Sequence, residues 1–210
     1  MASLILDEIE ARVLGCLIEK DLTTPDYYPL SLNALVNACN QKSNREPHTN
    51  YDEQTVLDAI DRLRFKQLAT VTSGAEHRVP KYGHRAYETI NLGRREVAVL
   101  TPMLLRGPQT LNELKIRTER MYEFDDADAV LSAIHKLANH EGGPLAVELP
   151  RQAGMRETRY THLFFGEPAM PPVSHEAAPM HASREDRLAK LEAEVEALKA
   201  QFAEFRKQFE

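Results

Sequence analysis

The feature that most constrains this chain is a stretch that occurs twice. Val56-Leu57-Asp58-Ala59-Ile60-Asp61-Arg62-Leu63 returns 74 residues later as Val130-Leu131-Ser132-Ala133-Ile134-His135-Lys136-Leu137. Written as a helix, Val56, Leu57, Ile60 and Leu63 share one face, the spacing of a stripe turned toward a core. Each copy is followed by a short apolar-rich run, Leu68-Ala69-Thr70-Val71-Thr72 and Leu145-Ala146-Val147. An upstream echo, Leu32-Asn33-Ala34-Leu35 against Leu111-Asn112-Glu113-Leu114, is offset by 79. Two echoes in the same order identify a duplicated unit of three helices and a hairpin. The difference in offset falls in the loop before the third helix, where a change of length is best tolerated.

The flanking residues fill in each copy. A first helix is expected over residues 4–20, with Ile5, Ile9, Val13, Leu14, Leu17 and Ile18 on one face. Pro25 and Pro29 end it, because neither can continue a helix. Ser31 is placed to cap a short second helix running to Cys39, and Asn50 with Glu53 has the spacing of a capping box for the third. The first hairpin pairs Leu68–Thr72 with a return strand over Arg85–Ile90. The second copy opens near Gly93. Val97, Val99, Leu100, Met103 and Leu104 form its first helix, which Pro102 is expected to kink or break. Thr110 and Glu113 repeat the capping-box pattern, a third helix follows over Asp125–Asn139, and Leu145–Leu149 pairs with Arg159–Phe165. The fold class is mainly α with small β-hairpins, an α+β chain. Its units match two tandem winged helix-turn-helix domains, over residues 1–91 and 92–166.

Beyond them the pattern changes twice. Residues 167–183, with Pro168, Pro171, Pro172 and Pro179, read as a flexible linker with nothing to bury. In residues 184–210 the apolar positions Leu188, Leu191, Val195, Leu198, Phe202, Phe205 and Phe209 alternate steps of three and four, a heptad seam. Arg187 faces Glu192, and Glu194 faces Lys199, when two such helices run parallel. A homodimer through this C-terminal coiled-coil helix is the expected assembly; the rival is an amphipathic helix folded back on its own chain.

Composition bounds the function. Among 210 residues 42% are hydrophobic, enough for real cores. No run approaches a membrane span and no signal pattern opens the chain, so a soluble cytoplasmic protein without a membrane partner is expected. Cys16 and Cys39 are too few for a disulfide framework, and Cys16 reads as core. A net charge of −6 argues against a general nucleic-acid binder. Any such surface must be a local patch.

With these pieces placed, the chain resembles the YceH-like family of bacterial proteins over residue 4 to about residue 166. The likeness rests on Leu17-Ile18-Glu19-Lys20 with Thr24-Pro25-Asp26-Tyr27-Tyr28-Pro29-Leu30-Ser31-Leu32, and on Asn37-Ala38-Cys39-Asn40-Gln41-Lys42-Ser43-Asn44-Arg45. Lys81-Tyr82-Gly83-His84-Arg85 and Leu105-Arg106-Gly107-Pro108-Gln109-Thr110 extend it. The resemblance implies tandem winged-helix domains in a bacterial cytoplasmic protein. It implies no reaction.

The residues point the same way. There is no glycine-rich phosphate loop, no HExxH and no GxSxG, so no enzyme, cofactor or metal site is expected. His77 and His84 read as solvated hairpin histidines. The local patch is basic: from 62 to 85 the chain has six Lys or Arg and one acid, Glu76. The candidate nucleic-acid contacts are Arg62, Arg64, Lys66, Arg78, Lys81 and Arg85, joined by Lys42, Asn44 and Arg45 of the connector, with Gln54 reading a base. The second copy begins its third helix with Glu123, Asp125, Asp126 and Asp128, which repel phosphates. Two function classes therefore stand. One is a transcription regulator that binds double-stranded DNA through the first domain; the other is a protein–protein scaffold, with the second domain meeting a protein partner.

Overall fold

The computed structural model describes residues 4–74, 77–151, 155, 157–167 and 199. The chain divides into two units, Met1–Pro168 and Ala169–Glu210. The heptad seam from Leu188 to Phe209 and nearly all of the expected linker lie outside the described residues. The rest is α+β, with seven α-helices and two small antiparallel sheets.

The first helix, α1 (Glu8–Thr23), starts later than its apolar pattern suggests because Asp7 caps it. Asp7 and Glu10 exchange side-chain-to-backbone bonds of 2.7 and 2.8 Å, a full capping box. A single 3₁₀ turn at Pro25–Tyr27 leads to β1 (Leu30–Ser31) and α2 (Leu32–Cys39), where Ser31 Oγ accepts from the Ala34 N–H as expected. The polar connector is pinned by Asn40, which bonds the backbone N–H and carbonyl of Tyr51, each at 2.8 Å. The third helix, α3 (Glu53–Phe65), is capped by Asp52 through the Thr55 N–H; the expected Asn50–Glu53 box does not form.

Strands β2 (Ala69–Gly74) and β3 (His77–His84) make the hairpin, and β1 adds to the free edge of β3, giving the order β1-β3-β2. The expected return strand Arg85–Ile90 is displaced. Its residues form α4 (Ala86–Thr89), and the strand lies just before them. Pro80 argues against a central strand in the sequence, since it has no N–H to donate. The register shift between Thr72 and Gly74 absorbs it: Lys81 faces Thr72, and regular pairing lapses over the residues before it.

The second copy opens at Gly93, which caps α5 (Arg94–Arg106). Pro102 neither breaks nor ends this helix; it runs on to Gly107, whose φ of 72° ends it. Every residue from Glu96 to Leu105 is buried, so tertiary packing on all sides offsets the lost backbone bond. Helix α6 (Leu111–Thr118) has the expected Thr110–Glu113 capping box, and α7 (Ala127–Ala138) is capped by Asp126. Strands β4 (Ala146–Leu149) and β5 (Arg159–His162) pair, and Gln109 bridges to Tyr160 on the other edge of β5. That edge contact repeats the β1–β3 contact of the first copy, Leu30 against Tyr82.

The repeated stripe is buried in both copies as Val56, Ala59, Ile60 and Leu63 in α3, and Val130, Ala133, Ile134 and Leu137 in α7. Leu57 and Leu131, expected in the stripe, are only half-buried at its margin. The alanines take the inner positions, the i, i+3, i+4, i+7 face. Both copies share one core through α1 and α5. At their crossing a Cβ on Gly15 would stand 2.9 Å from Leu105 Cδ2 and 3.2 Å from Leu104 Cβ. Only glycine lets the helices approach this closely. Backbone bonds also cross between the copies, from Leu6 N–H to the Phe164 carbonyl at 2.7 Å and from Glu46 N–H to the Leu105 carbonyl at 2.9 Å. No helix among the described residues is long and apolar enough to cross a membrane.

Candidate interaction surface

The basic residues at the end of α3 are not free. Glu10, on the first turn of α1, is only 1% exposed, and a buried carboxylate requires partners. Lys66 supplies one, with Nζ at 2.6 and 2.7 Å from its two oxygens. Arg62 reaches the same site, with Nη2 at 3.0 Å from Asp7 and Nε at 3.5 Å from Glu10. Arg64 turns back to Asp61 at 2.9 Å.

Arg45 corrects the sequence reading most clearly. A phosphate contact needs solvent, yet its side chain is fully buried. The guanidinium forks onto Glu19 at 2.6 and 3.2 Å and donates to the carbonyls of Ala38 and Asn44 and to Gln41 Oε1. It therefore holds the connector against α1 and α2. Arg12, unmarked in the sequence, is buried beside it and donates to the carbonyls of Cys39 and Pro47. Cys16 and Cys39 are both buried and free. Asn44, with φ 58°, accepts from Arg106 of α5 at 3.2 Å. Gln54 donates to Asp58 one turn on, at 2.8 Å, so its amide is already engaged.

What remains is thin. Lys42 and Arg85 are exposed and Lys81 is half-buried; among the described residues their side chains have no hydrogen-bond or ion-pair partner. Arg78 lies in β3, but its side chain is outside the described set. The outer face of α3 shows Glu53, Gln54, Asp58 and Asp61 to solvent and ends in Phe65, 91% exposed. In the second copy Glu123, Asp125, Asp126 and Asp128 are all exposed, as their sequence suggests.

The root of the first hairpin carries a second polar cluster. His84, expected in solvent, has a side chain only 2% exposed. Its Nδ1 accepts from the Ala86 N–H at 3.2 Å, so the ring proton sits on Nε2, 3.3 Å from Asp21 Oδ2. The Tyr87 hydroxyl donates to the same oxygen, and the Tyr28 hydroxyl accepts from the His84 N–H. The His84 hydrogen bond holds the Asp21 carboxyl below the usual carboxylate range, and burial pushes Tyr28 upward. This cluster ties α1 to the hairpin and is closed by its own bonds.

Sequence comparison identifies the family of the chain. A family model described as "Protein of unknown function, DUF480" matches residues 6–155. The chain is 54% identical over 209 residues to a UPF0502 protein of Solibacter usitatus, covering 98% of each. It is 51% identical over 195 residues to one of Opitutus terrae, covering 93% of this chain and 84% of the relative. A UPF0502 protein of Vibrio vulnificus is 49% identical over 209 residues, at 96% and 95% coverage. The chain belongs to this bacterial family, the DUF480 or UPF0502 proteins, which the YceH-like motifs of its sequence mark out.

Proposed function

We propose that residues 4–167 are two winged helix-turn-helix modules fused through one core, and that they serve as a protein-interaction scaffold. The modular reading is supported by the repeated strand order, β1-β3-β2 in the first copy and Gln109-β5-β4 in the second. The scaffold reading rests on one observation: Asp7, Glu10 and Asp61 take up the cations at the end of α3. A reader helix entering a major groove needs donors and positive charge on its outer face. Here that face carries three exposed carboxylates, an engaged glutamine and an exposed phenylalanine, and its exposed Arg62 and Arg64 are paired with Asp7 and Asp61. An exposed aromatic side chain such as Phe65 favours a protein partner, because aromatic residues are enriched at protein interfaces. The C-terminal heptads add a parallel homodimer, which presents this surface twice.

A photoreactive phenylalanine analogue at position 65 of the full-length chain, irradiated in cells, tests the reading. The expected product is a crosslinked species that protease removes and nuclease does not. A nuclease-sensitive product would overturn it. DNA association through the hairpin and its root is the second reading, supported by Lys81 and Arg85, whose side chains have no partner among the described residues; it calls for backbone contacts without base reading.

A further inference from the structure

A cleft of about 290 Å³ opens between the two copies. That is the lower end of the range for small-molecule sites, roughly 300–1,000 Å³. Glu19 of α1, Asn44 of the connector, Arg106 of α5 and Arg117 and Arg120 at the end of α6 line it. Pro102, Leu105 and Met121 line the apolar part, and Ile116, 67% exposed, stands beside them.

The charges do not balance. Glu19 is already neutralised by the buried Arg45 at 2.6 Å. Among the described residues Arg106 donates to a neutral partner, Asn44 Oδ1 at 3.2 Å, and makes no ion pair. Arg120 is exposed and has no hydrogen-bond or ion-pair partner among the described residues. Arg117 lies 3.2 Å from Glu113, a carboxylate that Arg159 shares at 3.8 Å. The crowding shows in both ionisations. Burial lowers Arg117 and the neighbouring Arg106 lowers it further; burial raises Glu113, but the Thr110 N–H and Arg117, Arg159 and Arg106 together hold it below its usual range.

We infer that this cleft binds a small phosphomonoester with a compact apolar body, its head on Arg106, Arg117 and Arg120 and its body against Pro102 and Leu105. A monocarboxylate brings one charge and leaves guanidinia uncompensated. A phosphomonoester brings about −1.5 to −2 and three acceptor oxygens, which suit several guanidinium forks at once. The site needs both copies, since the connector of the first and α5 and α6 of the second form its walls. Bound ligand therefore favours the packed arrangement of the halves.

Calorimetric titration of the full-length chain with phenyl phosphate, inorganic phosphate and benzoate tests this. Saturable binding of one phenyl phosphate per chain is expected, tighter than either other probe because only it fills both parts of the cleft. Arg120→Gln and Arg106→Gln should each weaken it about tenfold, the value of one charge-assisted contact, while Arg85→Gln, outside the cleft lining, leaves it unchanged. Arg120 is exposed, so its variant keeps the fold. Absence of saturable heat, benzoate binding as tightly as phenyl phosphate, or an equal loss in Arg85→Gln would each overturn the inference.

Discussion

Lys66, at the end of α3, places its ammonium 2.6 and 2.7 Å from the two carboxylate oxygens of Glu10, at the start of α1. The contact spans 56 residues of chain and joins the first and third helices of the first copy. It also decides how the basic run after Arg62 is used. Lysine that neutralises a buried carboxylate is structural, and the surface beyond it stays acidic.

Removing Lys66 leaves the Glu10 charge with weaker support. Lys66→Met should destabilise the fold by about 2 kcal/mol, less than the roughly 3–5 kcal/mol for a fully buried pair, because Arg62 remains and solvent reaches the ammonium. Urea denaturation gives the value, and adding Glu10→Gln should recover part of the loss. Equal stability of Lys66→Met and wild type would show that solvent, not lysine, balances the carboxylate.

His162 makes stability depend on pH. It is 4% exposed, its Nδ1 accepts from the Phe164 N–H at 3.2 Å, and burial pushes its pKa down from 6.5 to about 4. Below 6.5 the unfolded chain takes up a proton that the folded chain refuses until about 4. The contribution is therefore complete above 6.5 and lost as pH falls through that window, roughly 3 kcal/mol in all. Urea midpoints measured from pH 7.5 to 4 should fall more steeply for wild type than for His162→Gln. Parallel curves would place the titration elsewhere.

The repeated stripe separates into inner and marginal positions. Leu63→Ala and Leu137→Ala should each cost about 2–5 kcal/mol, as truncations of fully buried leucine do. Leu57→Ala and Leu131→Ala, only half-buried, should cost about half as much or less. Thermal unfolding of the four variants checks the order, and equal shifts across each pair would put Leu57 and Leu131 back in the core.

Which features the sequence disclosed follows from their range. Caps such as Ser31 and the Thr110–Glu113 box are set by residues three apart, and the duplicated stripe by helical periodicity; both were readable directly. The fate of a cation is not local. Arg45 carries the same symbols as a surface arginine, and only the fold brings Glu19, 26 residues earlier, to it. The same holds for Lys66 with Glu10 and for His84 with Asp21. The return strand lies ahead of its expected place because Pro80 and the polar Lys81 hide a strand whose buried apolar contribution is Tyr82. Pro102 does not break α5 for the opposite reason: burial on every side holds the helix together where its local propensity does not.

The C-terminal seam from Leu188 to Phe209 should make the chain a parallel dimer. Burying each seam leucine or phenylalanine contributes roughly 1.5–3 kcal/mol. Light scattering at tens of micromolar should give dimer mass for the full chain and monomer mass for residues 1–183. Monomer mass for both would remove the coiled coil.

The most direct test of the acidic α3 face is fluorescence anisotropy of the full-length chain with a labelled mixed-sequence duplex, from about 50 to 200 mM salt. A reader helix with six phosphate contacts would lose roughly a thousandfold in affinity over that range. The expected result is weak association at the lowest salt, removed by neutralising Lys81 and Arg85 and unaffected by Gln54→Ala. A tight complex with a steep salt slope that Gln54→Ala or Arg64→Ala weakens would contradict it, and would return α3 to the major groove.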